Sequence, residues 1–142
     1  MRVIYTVLFT LFCLISVAQK PRERNPKSIS DCNPDEIFKI VEQSPTYNGG
    51  LPVIEKFLKD KLDFGEDVNG EVSIRFTVYC NGEAKDYEVL KTINQEVGDK
   101  TLKEFKKLTD WIAGVQRGWK ITCQRTATFH FESGKLASAK VN

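Results

Sequence analysis

Three observations predict a small α+β domain, in which a three-stranded antiparallel sheet carries two helices on one face. Apolar and polar side chains alternate over 71–80, and this two-residue period predicts a strand. The Asn81-Gly82 pair that follows predicts a tight hairpin turn. A second alternating run over 120–131 predicts a further strand. Because each strand keeps one polar side, we expect one face of the sheet to be solvated and the other to pack on helices.

Apolar residues at helical spacing predict the two helices. The stretch from Leu51 to Leu62 has one apolar face, and Pro52 stands in its first turn, where a missing N–H does no harm. Asp99 is expected to cap the second helix, which carries apolar residues over 102–108. With the second strand of the hairpin over 84–91, the element order is helix, strand, strand, helix, strand.

The stretch 31–44 admits two interpretations. The Asn33-Pro34 pair and the acidic residues after it are typical of a helix start. The β-branched residues over 37–41 equally fit an extended segment. Sequence reasoning leaves the choice open.

Composition excludes several classes of function. The chain has 142 residues with 21 basic and 19 acidic side chains, a balance that predicts no nucleic-acid partner. With one histidine and no Cys-x-x-Cys, the sequence predicts neither a metal site nor a cofactor. His130 and Cys123 lie seven residues apart on one predicted strand, so their side chains point to opposite faces. Without a catalytic constellation, we predict that the protein is not an enzyme.

The N-terminus resembles a secretory signal. Arg2 precedes an apolar run from Val3 to Val17, and the small residues Ser16 and Ala18 mark a cleavage site, which predicts a signal peptide over 1–18. As a helix the run spans about 22 Å, less than the roughly 30 Å hydrocarbon core. An uncleaved membrane anchor is the alternative. A polar lead-in over 19–35 then precedes a domain over 36–142.

Short motifs in a fixed order resemble a known family. Asn81-Gly82 at the hairpin belongs to them, as do two glycine-containing stretches that precede the first helix and the last strand. In these positions the chain resembles the bacterial TonB C-terminal domain, although Ala113 replaces that family's usual proline. The family-motif positions outside the hairpin are Pro45, Tyr47, Gly49, Gly50, Trp111, Gly114 and Gly118, of which Tyr47 is a substitution for the family's usual residue.

The resemblance implies a fold with αββαβ order and a mode of action. It implies a periplasmic protein-interaction domain that binds an extended partner segment by strand addition. The partner would be a segment such as one from an outer-membrane transporter, or a second copy of the domain. The cleavable N-terminus and the lack of a long proline-rich spacer depart from TonB itself. The alternative is a minimal energy transducer, in contact with the membrane only if the N-terminus is uncleaved.

The family fold also implies where the partner binds. There the first strand lies between the second and the last, so the last strand becomes the exposed edge of the sheet. That strand carries no proline and few charges, and it is poorly protected against pairing. The expected partner-binding residues are Lys120, Thr122, Gln124, Thr126, Thr128 and His130.

The same strand arrangement implies a disulfide. Cleavage of the signal would leave Cys32, Cys80 and Cys123, and an oxidising compartment favours one bridge. In the family fold the end of the first strand meets the start of the last. We therefore expect Cys80 to pair with Cys123, which leaves Cys32 as the odd thiol.

Overall fold

The computed structural model describes residues 32–33 and 35–142. The predicted signal peptide over 1–18 and most of the 19–35 lead-in lie outside these residues. Within the described part, neither helix has the length and apolar character needed to cross a membrane.

The described chain forms two helices and eight strands. The helices are α1, Leu51–Lys59, and α2, Gln95–Phe105. The first four strands are β1, Ile37–Phe38; β2, Thr46–Tyr47; β3, Gly70–Val78; and β4, Ala84–Lys91. The last four are β5, Trp111–Ile112; β6, Gly114–Gln116; β7, Trp119–Glu132; and β8, Lys135–Val141.

Strand β7 organises the main sheet. On one side it pairs antiparallel with β3, and β4 pairs antiparallel with the far side of β3. On its other side β7 pairs in succession with β6, with the parallel strand β1, and with β8. The result is a mixed six-stranded sheet, strongly curled into a half-barrel. Strands β2 and β5 form a separate two-stranded sheet.

The predicted three-stranded sheet is therefore wrong. Strand β3 does lie between β4 and β7, as the resemblance implies. The 14-residue strand β7, however, has a second edge, which three further strands cover. Two turns make this possible, because Arg117-Gly118 and Ser133-Gly134 both have positive φ angles, as tight hairpins require. The first turn joins β6 to β7 and the second joins β7 to β8.

Both helices pack on the apolar face of the sheet around an aromatic cluster. The ring centroid of Phe105 lies 5.1 Å from that of Phe76 and 5.2 Å from that of Phe129. Trp111 is buried at one end of this cluster, and its indole N–H donates to the Leu108 carbonyl at 3.0 Å. A buried indole N–H needs an acceptor, and the Leu108 carbonyl satisfies it.

Helix α2 begins four residues before the predicted cap. The side chain of Asn94 accepts a hydrogen bond from the Val97 N–H at 2.9 Å, which makes it the N-cap residue. Asp99 lies inside the helix, where its carboxylate accepts from the Gln95 side chain at 2.9 Å. The prediction that Asp99 caps the helix is wrong, because the better-placed Asn94 satisfies the first free N–H groups.

The segment 35–45, here called the N-terminal arm, adopts the extended alternative. Its two-residue strand β1 lies beside β7. The buried Arg125 guanidinium, on β7, donates to the Lys39 carbonyl at 2.9 Å and to the Ser44 hydroxyl at 3.0 Å. Gln43 exchanges two main-chain hydrogen bonds with Val115 of β6. These contacts hold the arm along the edge of β7.

Candidate functional site: the edges of the sheet

The strand predicted to be the exposed edge is closed on both sides. The Thr126 N–H donates to the Asn142 carbonyl, and the Asn142 N–H donates back, both at 3.0 Å. The prediction that β7 offers a free edge is wrong because the arm and two hairpins supply strands that the three-strand plan lacks. On this side Lys120 lies opposite Val115, Thr122 opposite Ile37, Thr128 opposite Lys140, and His130 opposite Ser138, while Gln124 faces Thr77 of β3.

Side chains from the predicted edge instead line the polar face of the sheet. The hydroxyl oxygens of Thr128 and Ser73 lie 3.3 Å apart across β7 and β3. His130 is partly exposed, and its Nε2 lies 3.4 Å from a carboxylate oxygen of Glu132. Thr122 is buried at the end of this face, near Cys80. These residues share a surface, but their main-chain groups are already paired.

The disulfide joins Cys32 to Cys80, so the predicted Cys80–Cys123 bridge is wrong. The two bonded cysteines have Cα atoms 6.1 Å apart. Strand β3 ends at Val78, so two-residue alternation does not extend to Cys80, whose Sγ lies 3.6 Å from the Thr122 hydroxyl. Cys123 faces the opposite side, free and fully buried, and burial raises the pKa of its thiol.

The motif residues serve packing and turns. Tyr47 faces Trp111 across the two-stranded sheet, with ring centroids 5.3 Å apart. Gly114 is packed so closely that a Cβ would lie 3.1 Å from the Pro45 ring and 2.6 Å from the Cys123 sulfur. Gly49 and Gly50, before α1, and Gly118, in the β6–β7 turn, have φ angles of 81°, 74° and 79°. Tyr47 thus packs on Trp111, and Pro45, the last residue of the arm, packs on Gly114.

Strand β4 is the open edge. It has eight residues and pairs only with β3, and no described residue bonds to its outer main-chain groups. Strand β8, by contrast, is covered on its outer side. The Glu55 carboxylate of α1 accepts a hydrogen bond from the Ala139 N–H at 2.9 Å. The main chain of Asp63 forms an isolated antiparallel β-bridge with Lys135.

The register shows which main-chain groups of β4 point outward. Thr126 of β7 exchanges main-chain hydrogen bonds with Asn142, just after β8, so its N–H and C=O point away from β3. Arg75 lies opposite Thr126 in β3, and its own N–H and C=O therefore point toward β4. Arg75 lies opposite Glu88, so the main chain of Glu88 faces β3. The next residue, Val89, must then direct its N–H and C=O away from the sheet.

Two irregularities interrupt β4. The register shifts opposite Phe76, where Asp86 has a φ of 54°, and again at Leu90. The Tyr79 hydroxyl donates to the Asp86 carboxylate at 2.7 Å, which holds the first bulge. Bulges and charges are the devices by which proteins limit uncontrolled pairing at an edge. They leave a short regular stretch around Val89 available.

The side of β4 that faces α2 is aromatic and basic. The Tyr87 ring stacks on Phe76 with centroids 6.0 Å apart, and burial raises the pKa of Tyr87 to about 12. The ammonium of Lys106, just after α2, lies 5.5 Å from the centre of the Tyr87 ring. Val89, on the same side as Tyr87, is half-buried and packs against the core. A strand placed beside β4 would therefore meet one apolar position and one cation.

A cleft lies away from the open edge of the sheet. Residues 35–142 contain no cluster of three side chains that could hold a metal ion. A cleft of about 280 Å³ is lined by side chains of mixed character, namely Lys59, Leu62, Asp63, Lys135 and Leu136. Among the described residues, no ion pair joins the side chains of its two lysines to that of its aspartate, and we take the open edge as the stronger candidate site.

Sequence reasoning missed β4 as an edge, although a signal was present. The alternation over 84–91 is weaker than over 71–80, and it breaks at Asp86 and Leu90, the two bulge positions. A strand that departs from strict alternation and carries four charges has the composition of a protected edge. No protein-family model, curated protein or solved structure matches the chain. The resemblance to the TonB C-terminal domain rests on its motifs and their order alone.

Proposed function

We propose that this protein is an exported interaction domain that binds an extended segment of a partner protein by adding it as a strand beside β4. The observation that carries the proposal is the unpaired outer side of β4, in a sheet whose opposite side is covered. The disulfide between Cys32 and Cys80 supports an oxidising compartment, in agreement with the predicted signal peptide. The resemblance to the TonB C-terminal domain supports the same class of function.

Binding at β4 draws its affinity mainly from the main chain. The Val89 N–H and C=O pair with one residue of the partner, and the partner's alternate side chains on the side that faces α2 contact Tyr87 and Val89. Because bulges flank Val89, only a short stretch of the partner can stay in register. We therefore expect a weak, reversible interaction that tolerates many side chains.

Peptide selection tests this mode of binding without knowledge of the partner. Random peptides are selected on the immobilised oxidised protein, and the best binder is remade with one N-methylated amide at a time. Strand addition predicts that methylation weakens binding at every second position, by about tenfold for each hydrogen bond lost. Equal sensitivity at neighbouring positions would indicate a different binding mode.

A matched pair of prolines locates the site. Val89→Pro removes an outward N–H from β4 and leaves the bonds between β3 and β4 in place. Val141→Pro does the same on the outer side of β8, since the neighbouring Asn142 bonds to β7. We expect peptide affinity to fall about tenfold or more in the first variant and to stay unchanged in the second. Circular dichroism checks that both fold, and retained binding by folded Val89→Pro would refute the proposal.

A further inference from the structure

The two sides of the open edge differ in their charge balance. On the polar face, every charged residue of β4 has a partner. Arg75 pairs with Glu88, Lys91 lies 2.9 Å from Glu71, and Lys85 lies 2.7 Å from Glu83. Asp86 accepts the Tyr79 hydroxyl. A side chain of an added strand on this face therefore meets ion-paired side chains and one carboxylate, Asp86, that is hydrogen-bonded but has no cation partner.

The side that faces α2 carries positive charge without such compensation. Lys107 is held by Glu104 at 2.7 Å, but Lys106 and Lys103 have no carboxylate within ion-pair distance among residues 35–142. The C-terminal end of a helix supplies roughly half a negative charge, which offsets only part of two lysines. Lys106 lies over Tyr87 and, unlike Lys85 and Lys91 of β4 itself, has no ion-pair partner among the described residues.

From this asymmetry we infer that the partner segment carries an acidic side chain at the position opposite Tyr87, on the side that faces α2. The inference rests on the proposed function, since it assumes a strand beside β4. Neighbouring strands lie about 4.8 Å apart, and directly opposed Cβ atoms lie about 5 Å apart. An aspartate or glutamate opposite Tyr87 can therefore reach the Lys106 ammonium. Positions on the polar face show no preference for an acid.

The test is a double-mutant cycle on a selected peptide. Its acidic residue is changed to the matching amide, and the protein is changed by Lys106→Gln. We expect each single change to weaken binding by about two- to fivefold, and the second change to add little once the first is made. The acidic peptide should also bind less tightly at high salt, whereas the amide peptide should not.

Two further variants separate charge from packing. Lys106→Arg keeps the cation over Tyr87 and should keep the preference for the acid. Lys56→Gln removes an exposed lysine from the last turn of α1 and should change nothing. If Val89→Pro removes binding but acid and amide peptides bind equally, the inference is wrong and the proposed function stands. If folded Val89→Pro still binds both peptides, the proposed function itself is wrong.

Discussion

The two edges of the sheet differ in how their main-chain N–H and C=O groups are protected from pairing with another strand. On one side β7 and β8 are covered by other parts of the same chain, namely the arm, the β6 hairpin and the Glu55 side chain. On the other side β4 is left uncovered, but it is bulged twice and carries four charges. Pairing closes the first edge, whereas bulges and charges limit which strands can pair with the second.

The number of charged residues on a strand led to the wrong edge. Few charges on β7 suggested an edge that was open to partners. The structure shows instead that β7 needs no charges because other strands cover it. The charges and the broken alternation of β4 mark the strand that remains exposed and must avoid uncontrolled pairing. Substitutions can remove the contacts that close the edge at β7 and β8, or probe the open side at β4.

Loss of the disulfide should have the largest effect, because the bond holds the start of the arm to the end of β3. The two cysteines are 48 residues apart, and Cys32→Ser should lower the free energy of unfolding by about 4 kcal/mol from loop-closure entropy. Urea denaturation measures the loss. Cys123→Ala is the control, since it leaves the bridge intact. Non-reducing peptide maps that join Cys80 to Cys123 would contradict the assignment.

Gly134 should come next, because it forms the turn that brings β8 against β7. Its φ is 76°, and a Cβ there would collide with the main-chain carbonyl oxygens of Phe64 and Gly65. Gly134→Ala should cost about 3 kcal/mol or more. Gly118→Ala is the matched control, with a φ of 79° but no atom within 4 Å of the added methyl group, and should cost about 1 kcal/mol. Equal losses in thermal unfolding would show that the contact with Phe64 is unimportant.

Glu55 closes β8 with a single hydrogen bond, so its removal should have a smaller effect. Glu55→Ala leaves the Ala139 N–H without its acceptor and should cost about 1–2 kcal/mol. Glu66→Ala removes an exposed carboxylate from the loop before β3 and should be nearly neutral. The prediction fails if both variants unfold at the same denaturant concentration as the parent protein.

Tyr87 offers a weaker probe of the open side. Because burial raises its pKa from 10.0 to about 12, the fold favours the neutral phenol. Its contribution to stability is complete below pH 10 and is lost as the pH rises from about 10 through about 12. Alkaline titration by tyrosinate absorbance should lose its highest-pH component in Tyr87→Phe. A Tyr87 that titrates near pH 10 would mean that the ring is more exposed than its contacts with Phe76 and Phe105 indicate.

Long, regular elements could be predicted from the sequence. The alternation over 71–80 and 120–131 marks most of β3 and β7, and Asn81-Gly82 marks the turn that joins β3 to β4. The need of the Trp111 indole for a hydrogen-bond acceptor was also foreseeable, because a buried N–H must be satisfied. These features depend on local spacing, which the sequence displays directly.

The parts that decide the candidate site could not be predicted, since they depend on contacts distant in sequence. Strands β1 and β6 have two and three residues, too few for any periodicity to appear. The Ser133-Gly134 pair indicates a turn into a final strand, but β8 has a register shift near Ala137, which weakens its alternation and hides its pairing with β7. The disulfide was misassigned because strand β3 ends at Val78, before the period reaches Cys80. Together these elements determine which edge is closed.

Amide hydrogen exchange at two neighbouring residues of β4 tests the central claim most directly. In the free protein the Glu88 amide, which faces β3, should exchange slowly, and the outward Val89 amide should exchange fast. A selected peptide should slow exchange at Val89 and leave the already protected Thr126 amide of β7 unchanged. If the peptide binds while Val89 continues to exchange fast, the partner does not pair with β4 and the account is wrong.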